Sequence, residues 1–425
     1  MPLRKMPCDP RRFQRADREK IVALPKFAAF LHRIKFNERS MIVSLGAAMS
    51  LATLDQTAYQ SARDSSFQNL LVYAAKKSGR SVLQVLRDYR QLAKSETRIN
   101  LVEYVRFGLY DIARHDQAER ARFLSNDLHW PIVNVVNNRG WYSAAEDKAL
   151  ASTLLGAAGV PIPETVAVLD PSQRLYHGMG ERISDANQLR AFLLARPGQQ
   201  FFGKIVDGMV SFGAFRIEHA DAEMIHCAGQ EPMSYDDFVE QTLAKNAYVL
   251  QPVLQNHAAL QPYASALATV RMVNLLTNDG LRVPMAAIKL PQGDNIADAF
   301  WRPGNLACGI DVPTGRIRTV ARRGIEVEFL EDHPDRPGLM GMELPFWKEL
   351  LEINERAARS FAPVRYQSTD IAITADGPVV VEINAGGGFD LPQYSNGRGM
   401  LTPEVRAFFE SCGVKFRPKK SLLPF

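Results

Sequence analysis

A chain of 425 residues is too long for one average domain and long enough to bury two or three cores. With 46% hydrophobic and 23% charged residues it has the composition of an ordinary globular protein, which excludes a disordered or collagen-like chain. The net charge of +5 is a mild excess that suits anionic small molecules and is too diffuse for a nucleic-acid binder, and no segment approaches the roughly 18–20 apolar residues of a membrane span, so neither nucleic acid nor membrane is an expected partner.

Cys8, Cys227, Cys308 and Cys412 lie far apart without a CxxC pair. Neither a disulfide framework nor a zinc site is expected, and a reducing, cytoplasmic compartment fits. The basic N-terminus MPLRKMPCDPRRFQRADREK has no apolar core and does not read as a secretory signal. The apolar stretch Met41–Leu54 contains Ser, Gly and Thr and reads as a buried helix.

In chain order, residues 1–125 read as a helical N-terminal domain with an accessory or dimerising role. Val82, Leu83, Leu86, Tyr89 and Leu92 fall near one helical face, and Leu101, Tyr104, Val105, Leu109 and Ile112 repeat the pattern. A homodimer through these helices is one expectation. From Asn126 the pattern changes. Ser143-Ala-Ala-Glu146 has the spacing of a capping box and predicts a helix through Leu155 that ends at Gly156 or Gly159. GVPIPETVAVL reads as loop then strand, and a helix over about Ala186–Leu194 precedes a strand over Gln200–Val206. Further strands are predicted over Tyr248–Leu254, Ala268–Leu276, Arg282–Lys289, Asp370–Thr374 and Val379–Asn384, with a helix over Leu344–Phe361. Mixed strands and helices make residues 126–415 an α+β region, divided at about 255/256, with a short tail at 416–425. Arg316, Arg318, Arg322 and Arg323 read as solvated surface.

Chemistry concentrates at the C-terminal strand pair. Asp370-Ile-Ala-Ile-Thr and Val-Val-Val-Glu382-Ile-Asn384 flank the turn signal Asp376-Gly377. Glu382 and Asn384 share one strand face. A two-residue turn at Asp376-Gly377 would put Asp370 on the other face, so a loop of odd length is predicted. Three oxygen donors together suit a hard cation such as magnesium. The triple glycine that follows, Gly386–Gly388, is expected to let a substrate approach closely. Upstream, Lys204 ends a strand beside the glycine-containing loop Asp207–Gly213, a combination that can hold phosphates. Arg271 stands inside the apolar run TVRMVNLL and needs an anionic partner, either a structural carboxylate or a phosphate.

Taken together these stretches resemble the ATP-grasp superfamily over roughly Asn126–Cys412. DIAIT with VEINAGGGFDL is the most specific match, and the order of the motifs is closest to the sugar-transfer associated ATP-grasp group. The resemblance implies two α+β subdomains gripping ATP. It assigns Lys148, Lys204 and the loop residues Asp207, Gly208, Ser211 and Gly213 to the phosphates, and backbone near Gln251, Val253 and Leu254 to the adenine edge. It assigns Asp370, Glu382 and Asn384 to one or two magnesium ions, and Arg271 and Lys289 to the transferring phosphoryl group. At the hinge this chain has Gln251 where the family usually has an acidic residue, and Ala385-Gly-Gly-Gly388 where a proline often follows the asparagine. His257, Asp298, Arg302, Asp390 and Gln393 are candidate substrate contacts, with Trp301 beside Arg302 as a stacking surface; His257 also reads as a polar loop residue and Asp298 as a plain turn residue. The implied activity is a biosynthetic ligase that forms an acylphosphate from a small carboxylate and passes it to an amine or thiol. A small-molecule kinase on the same fold is the alternative.

Overall fold

A computed structural model of the chain describes residues 50–61, 66–172, 174–176 and 178–419. The N-terminal basic segment, most of the Met41–Leu54 stretch and the last residues of the C-terminal tail lie outside them. Among the described residues eight α-helices precede the first strand: α1 (Leu51–Ser61), α2 (Phe67–Ser78), α3 (Val82–Lys94), α4 (Leu101–Arg106), α5 (Gln117–Arg120), α6 (His129–Val136), α7 (Tyr142–Glu146) and α8 (Lys148–Ala157). Their starts are written locally. Ser81 and Gln84 close a capping box on α3, as Asn100 and Glu103 do on α4. The periodic pattern from Leu101 to Ile112 does not stay helical, because α4 stops at Arg106 and Gly108 takes a left-handed φ of 67°. The predicted Ser143 box also fails. Asp147 breaks that helix, leaves α7 behind it, and caps α8 by accepting from the amides of Ala149 and Leu150.

The first sheet comprises β1 (Ala167–Leu169), β2 (Glu181–Ile183), β3 (Phe201–Ile205), β4 (Phe215–Ala220), β5 (Met224–Cys227), β6 (Met233–Ser234) and β7 (Tyr248–Pro252), with α9 (Ala186–Leu194) and α10 (Tyr235–Asp237) inserted. The strand order is β2-β1-β7-β3-β4-β5-β6, and only β1 and β2 run parallel. Phe201 and Ile205 of β3 pack into a core with Leu189, Phe192 and Phe238. The alternate residues Phe202 and Lys204 face the other way.

The second sheet is wholly antiparallel: β8 (Thr269–Thr277), β9 (Gly280–Arg282), β10 (Ala286–Leu290), β11 (Leu306–Asp311), β12 (Arg316–Ile317), β13 (Val320–Arg322), β14 (Glu328–Leu330), β15 (Tyr366–Thr374) and β16 (Gly377–Asn384). The helices α11 (Trp347–Ser360), α12 (Asp390–Asn396) and α13 (Pro403–Ser411) accompany it. Val270, Met272, Ile288, Cys308 and Ile371 point at Leu350, Ile353 and Ala357 of α11 and form the largest core. The opposite face carries the polar row Arg271, Lys289, Asp370 and Glu382, because residues one step along a strand change face. Met49–Phe425 is one compact unit, and α2–α4 share a core with Phe300, Ala307, Ala321 and Tyr394 rather than keeping one apart. None of the described helices is long and apolar enough to cross a membrane.

The β15–β16 hairpin reaches the expected pairing by an unexpected route. Its turn has two residues, Ala375 and Asp376, since Thr374 pairs with Gly377. Continued without interruption, that even register would set Asp370 opposite Val381. A bulge intervenes instead: Ile371 pairs with Val380 while Asp370 pairs with Glu382, so Val381 is the extra residue. The odd offset predicted for the loop is supplied by the strand.

Candidate active site

A cavity of about 360 Å³ lies between the two sheets, within the range of small-molecule sites of roughly 300–1,000 Å³. Phe202, Lys204, Arg216 and Gln251 line it from the first sheet, and Thr269, Asp370, Val381 and Glu382 from the second. Gly208, Ser211 and Phe212 of the loop after β3 close it on one side, and Asp298 on another. The connection Val253–Asn256 between the sheets forms its hinge edge. There the Val253 amide donates to the Gln200 carbonyl at 3.1 Å. Among the described residues the Leu254 amide and Val253 carbonyl have no such partner and remain available to an adenine-like edge. Gln251 spends its side-chain amide on Thr165 Oγ1 at 3.3 Å.

Cations and carboxylates interleave across the cavity floor. Lys148, at the start of α8, donates to the Gly208 carbonyl at 2.8 Å and reaches Glu382 Oε1 at 3.1 Å. Lys289 bridges Asp298 at 3.0 Å and Asp370 at 3.3 Å, and Thr269 Oγ1 donates to Asp298. Arg271 binds Asp370 through both fork positions, Nε to Oδ1 at 2.6 Å and Nη2 to Oδ2 at 2.8 Å. Burial alone would raise the Asp370 carboxyl, but Arg271 and Lys289 outweigh it and hold it at about 2. Lys204 differs from its neighbours, having no ion pair among the described residues. Burial, with Lys148 adding to it, lowers its ammonium to about 8 although Glu382 pulls the other way.

Of the residues expected at the phosphates, Lys148, Lys204, Gly208 and Ser211 line the cavity; Asp207 is exposed outside it, and Gly213 is buried behind the loop. Half-buried Arg271 and buried Lys289 are the partners of carboxylates rather than open cavity cations, because an arginine inside a sheet face needs an anion and the neighbouring strand supplies one. Four expected substrate contacts serve the fold instead. The His257 ring accepts from the Ala259 amide and packs edge-on against Phe346. Arg302 pairs with Asp55 and stacks on Trp301, whose own neighbours are Tyr59 and Phe212. Asp390 accepts from the Leu391 amide. Gln393, fully buried, bonds the amides of Leu124 and Met400 and the carbonyls of Leu124 and Phe389. Only Asp298 of that group borders the cavity. The triple glycine also packs against protein: a Cβ on Gly386 would sit 2.7 Å from Val133, and one on Gly387 would strike Ser368 Oγ. Asp55 and Arg216 escaped sequence reasoning. Asp55 precedes every recognisable motif, and Arg216 lies in FRIEH, a run whose only signal is strand alternation.

Whether the site suits magnesium turns on its oxygens. Both oxygens of Asp370 are taken by Arg271. Glu382 gives one oxygen to Lys148, and Asn384 uses its amide nitrogen toward Asp370 at 3.5 Å, leaving Glu382 Oε2 and Asn384 Oδ1. Magnesium takes one or two carboxylates and fills its other positions with water and phosphate oxygens, so Glu382 and Asn384 suit one ion. Among the described residues no three His, Cys, Asp or Glu side chains converge as a metal site.

Residues 132–408 match the family model described as sugar-transfer associated ATP-grasp. The chain belongs to that family. This ATP-grasp chain also resembles solved structures. One is the VanG D-Ala:D-Ser ligase of Enterococcus faecalis, 12% identical with a TM-score of 0.36, matched over 64% of each chain. Another is the D-alanine-D-alanine ligase of Coxiella burnetii, 13% identical with a TM-score of 0.34 over 64% of this chain and 59% of that one. A third is the ADP complex of purK, an N5-carboxyaminoimidazole ribonucleotide synthetase, 11% identical with a TM-score of 0.35 over 66% and 55%. The chain thus spans less than two thirds of each. No curated protein matches the chain.

Proposed function

We propose that this ATP-grasp protein is an ATP-dependent ligase that activates a small carboxylate as an acylphosphate and passes the acyl group to an amine or thiol. The observation that supports it most is Lys204, a half-buried ammonium that has no ion pair among the described residues and faces a cavity between two sheets. Such a group needs an anion, and a polyphosphate is one.

In this reading Lys148 and Lys204 bind the phosphates, the loop from Gly208 to Phe212 covers them, and the Val253–Leu254 backbone meets the base. The substrate carboxylate oxygen attacks the γ-phosphorus and the bond to the β-bridging oxygen breaks, so ADP leaves. The amine nitrogen or thiol sulfur then attacks the acyl carbon, the C–O bond to phosphate breaks, and the nucleophile gives its proton to solvent. When bound at Glu382 and Asn384, magnesium would neutralise phosphate charge. Asp370, locked by Arg271 and Lys289, orients the strand that presents Glu382. No protein nucleophile is required.

The test is ADP release by the purified chain with amino acids, sugar acids and amino sugars, alone and in pairs. Hydroxylamine should trap the activated carboxylate as a hydroxamate. If no active substrate yields one, the acylphosphate route is wrong. Accumulation of a phosphorylated product without free phosphate would instead mark a kinase.

A further inference from the structure

The loop that covers the cavity is held in an unfavourable shape. Val210 and Ser211 both have left-handed backbones, with φ of 59° and 58°. That region is an outlier for a β-branched residue such as Val, and neither residue is Gly, Asn or Asp. Two consecutive residues stay there only when their surroundings over-determine them. The surroundings come from two places far away in the chain. Trp301 donates its indole N–H to the Val210 carbonyl at 3.1 Å. The Asp55 carboxylate, on α1, accepts from the Gly213 amide at 2.9 Å, and both its oxygens lie 3.3 Å from Arg302 Nη2. Tyr59, one turn on, packs edge-on against Phe212 at 5.5 Å and against Trp301 at 5.6 Å. The loop follows β3 of the first sheet and residues 301–302 precede β11 of the second, and to the direct Trp301–Val210 bond α1 adds a second tie, through Asp55 and Tyr59 to both.

We infer that α1 is a clasp, and that Asp55 and Tyr59 are positioning residues which hold the 207–213 loop in its nucleotide-binding shape. The inference rests on the ATP reading of the cavity. It gives the helical N-terminal region a part in the site: a loop held ready binds a polyphosphate without first having to be ordered. Apparent affinity falls with the fraction of molecules in the competent shape, so a released loop that spends about a tenth of its time there binds about tenfold more weakly.

The experiment uses the full-length chain, ATP and a non-hydrolysable ATP analogue, titrated calorimetrically into wild type, Asp55→Ala, Tyr59→Ala and Asp55→Asn. Amide exchange is followed at 207–213 and in strands β8 and β15. The two alanine variants should bind about tenfold more weakly and exchange loop amides faster, with β8 and β15 protection unchanged. Asp55→Asn keeps an acceptor for the Gly213 amide and should stay within about threefold of wild type. Unchanged β8 and β15 protection separates a loosened loop from an unfolded protein. A wild-type chain that binds no ATP sinks the nucleotide reading, and this inference with it. Wild-type binding that both alanine variants match sinks the clasp alone. Tighter binding by Asp55→Ala sinks it too, since the helix would then be a brake.

Discussion

The pair Arg271–Asp370 should behave as a coupled unit whose halves cannot be removed separately. Asp370 is 3% exposed and bonded at both oxygens to Arg271, at 2.6 and 2.8 Å. Removing one partner of a buried pair costs about 3–5 kcal/mol, because the other charge is left in a medium that cannot solvate it. Arg271→Met leaves Asp370 with Lys289 at 3.3 Å, so its loss should fall near the lower end, about 3 kcal/mol. Asp370→Leu strands Arg271, which among the described residues has no other ion-pair partner, and should cost at least as much. The double variant removes both charges, Lys289 keeps Asp298, and stability should return to within about 1 kcal/mol of wild type. Urea unfolding at pH 7 measures each corner of the cycle. The carboxyl adds a sign that can be checked. Held at about 2 against an ordinary 3.8, it contributes about 2 kcal/mol, fully present above pH 3.8 and lost as pH falls through about 2. The double variant should lack that acid-dependent component. Single losses below about 1 kcal/mol, or a double variant as unstable as the two singles summed, would refute the reasoning.

Other perturbations separate the site from its scaffold. Glu382→Ala should reduce ADP release by about a hundredfold or more and leave the unfolding midpoint nearly unchanged, since the Glu382–Lys148 contact is partly exposed and such pairs contribute about 1 kcal/mol or less; full activity in that variant would exclude it as a metal ligand. Burial lowers the Lys204 ammonium to about 8, so ATP binding should draw a proton onto it and weaken as pH rises past that value. Calorimetry at pH 8 in buffers of different ionisation enthalpy reads the uptake, which Lys204→Met should abolish; equal uptake in that variant would move the proton elsewhere. Gly387→Ala drives a Cβ into Ser368 Oγ, with Arg271 Nη1 3.5 Å away, and should destabilise by about 1–3 kcal/mol in thermal melting. A variant as stable as wild type would return those glycines to substrate access.

What sequence could and could not show follows the distance over which each feature is decided. The helix Ala186–Leu194 was legible to the residue, because its periodicity and its Asp185 cap are local. The break at Asp147 was not, because S-x-x-E and an Asp cap one position later compete on nearly equal local terms. Arg271 was correctly read as needing an anion, yet the partner depended on β8 lying beside β15, a pairing between residues 99 apart. Gln393 and His257 show the opposite case: a polar residue next to a motif invites a substrate role, and only the folded chain reveals the orphan amides it satisfies. The hairpin shows the limit most sharply. Chemistry required Asp370 to share a face with Glu382, and spacing allowed the offset to be placed in the turn. The chain places it at Val381, directly beside the carboxylate it re-aims. An odd turn would have set the register of the whole hairpin; a bulge shifts it only beyond Val380, leaving Ile371 and Ile373 in the α11 core while Glu382 turns to the cavity. A single inserted residue thus keeps Val380 and Ile383 on the face that packs on α11 while it sets Glu382 beside Asp370 on the face that meets the cavity.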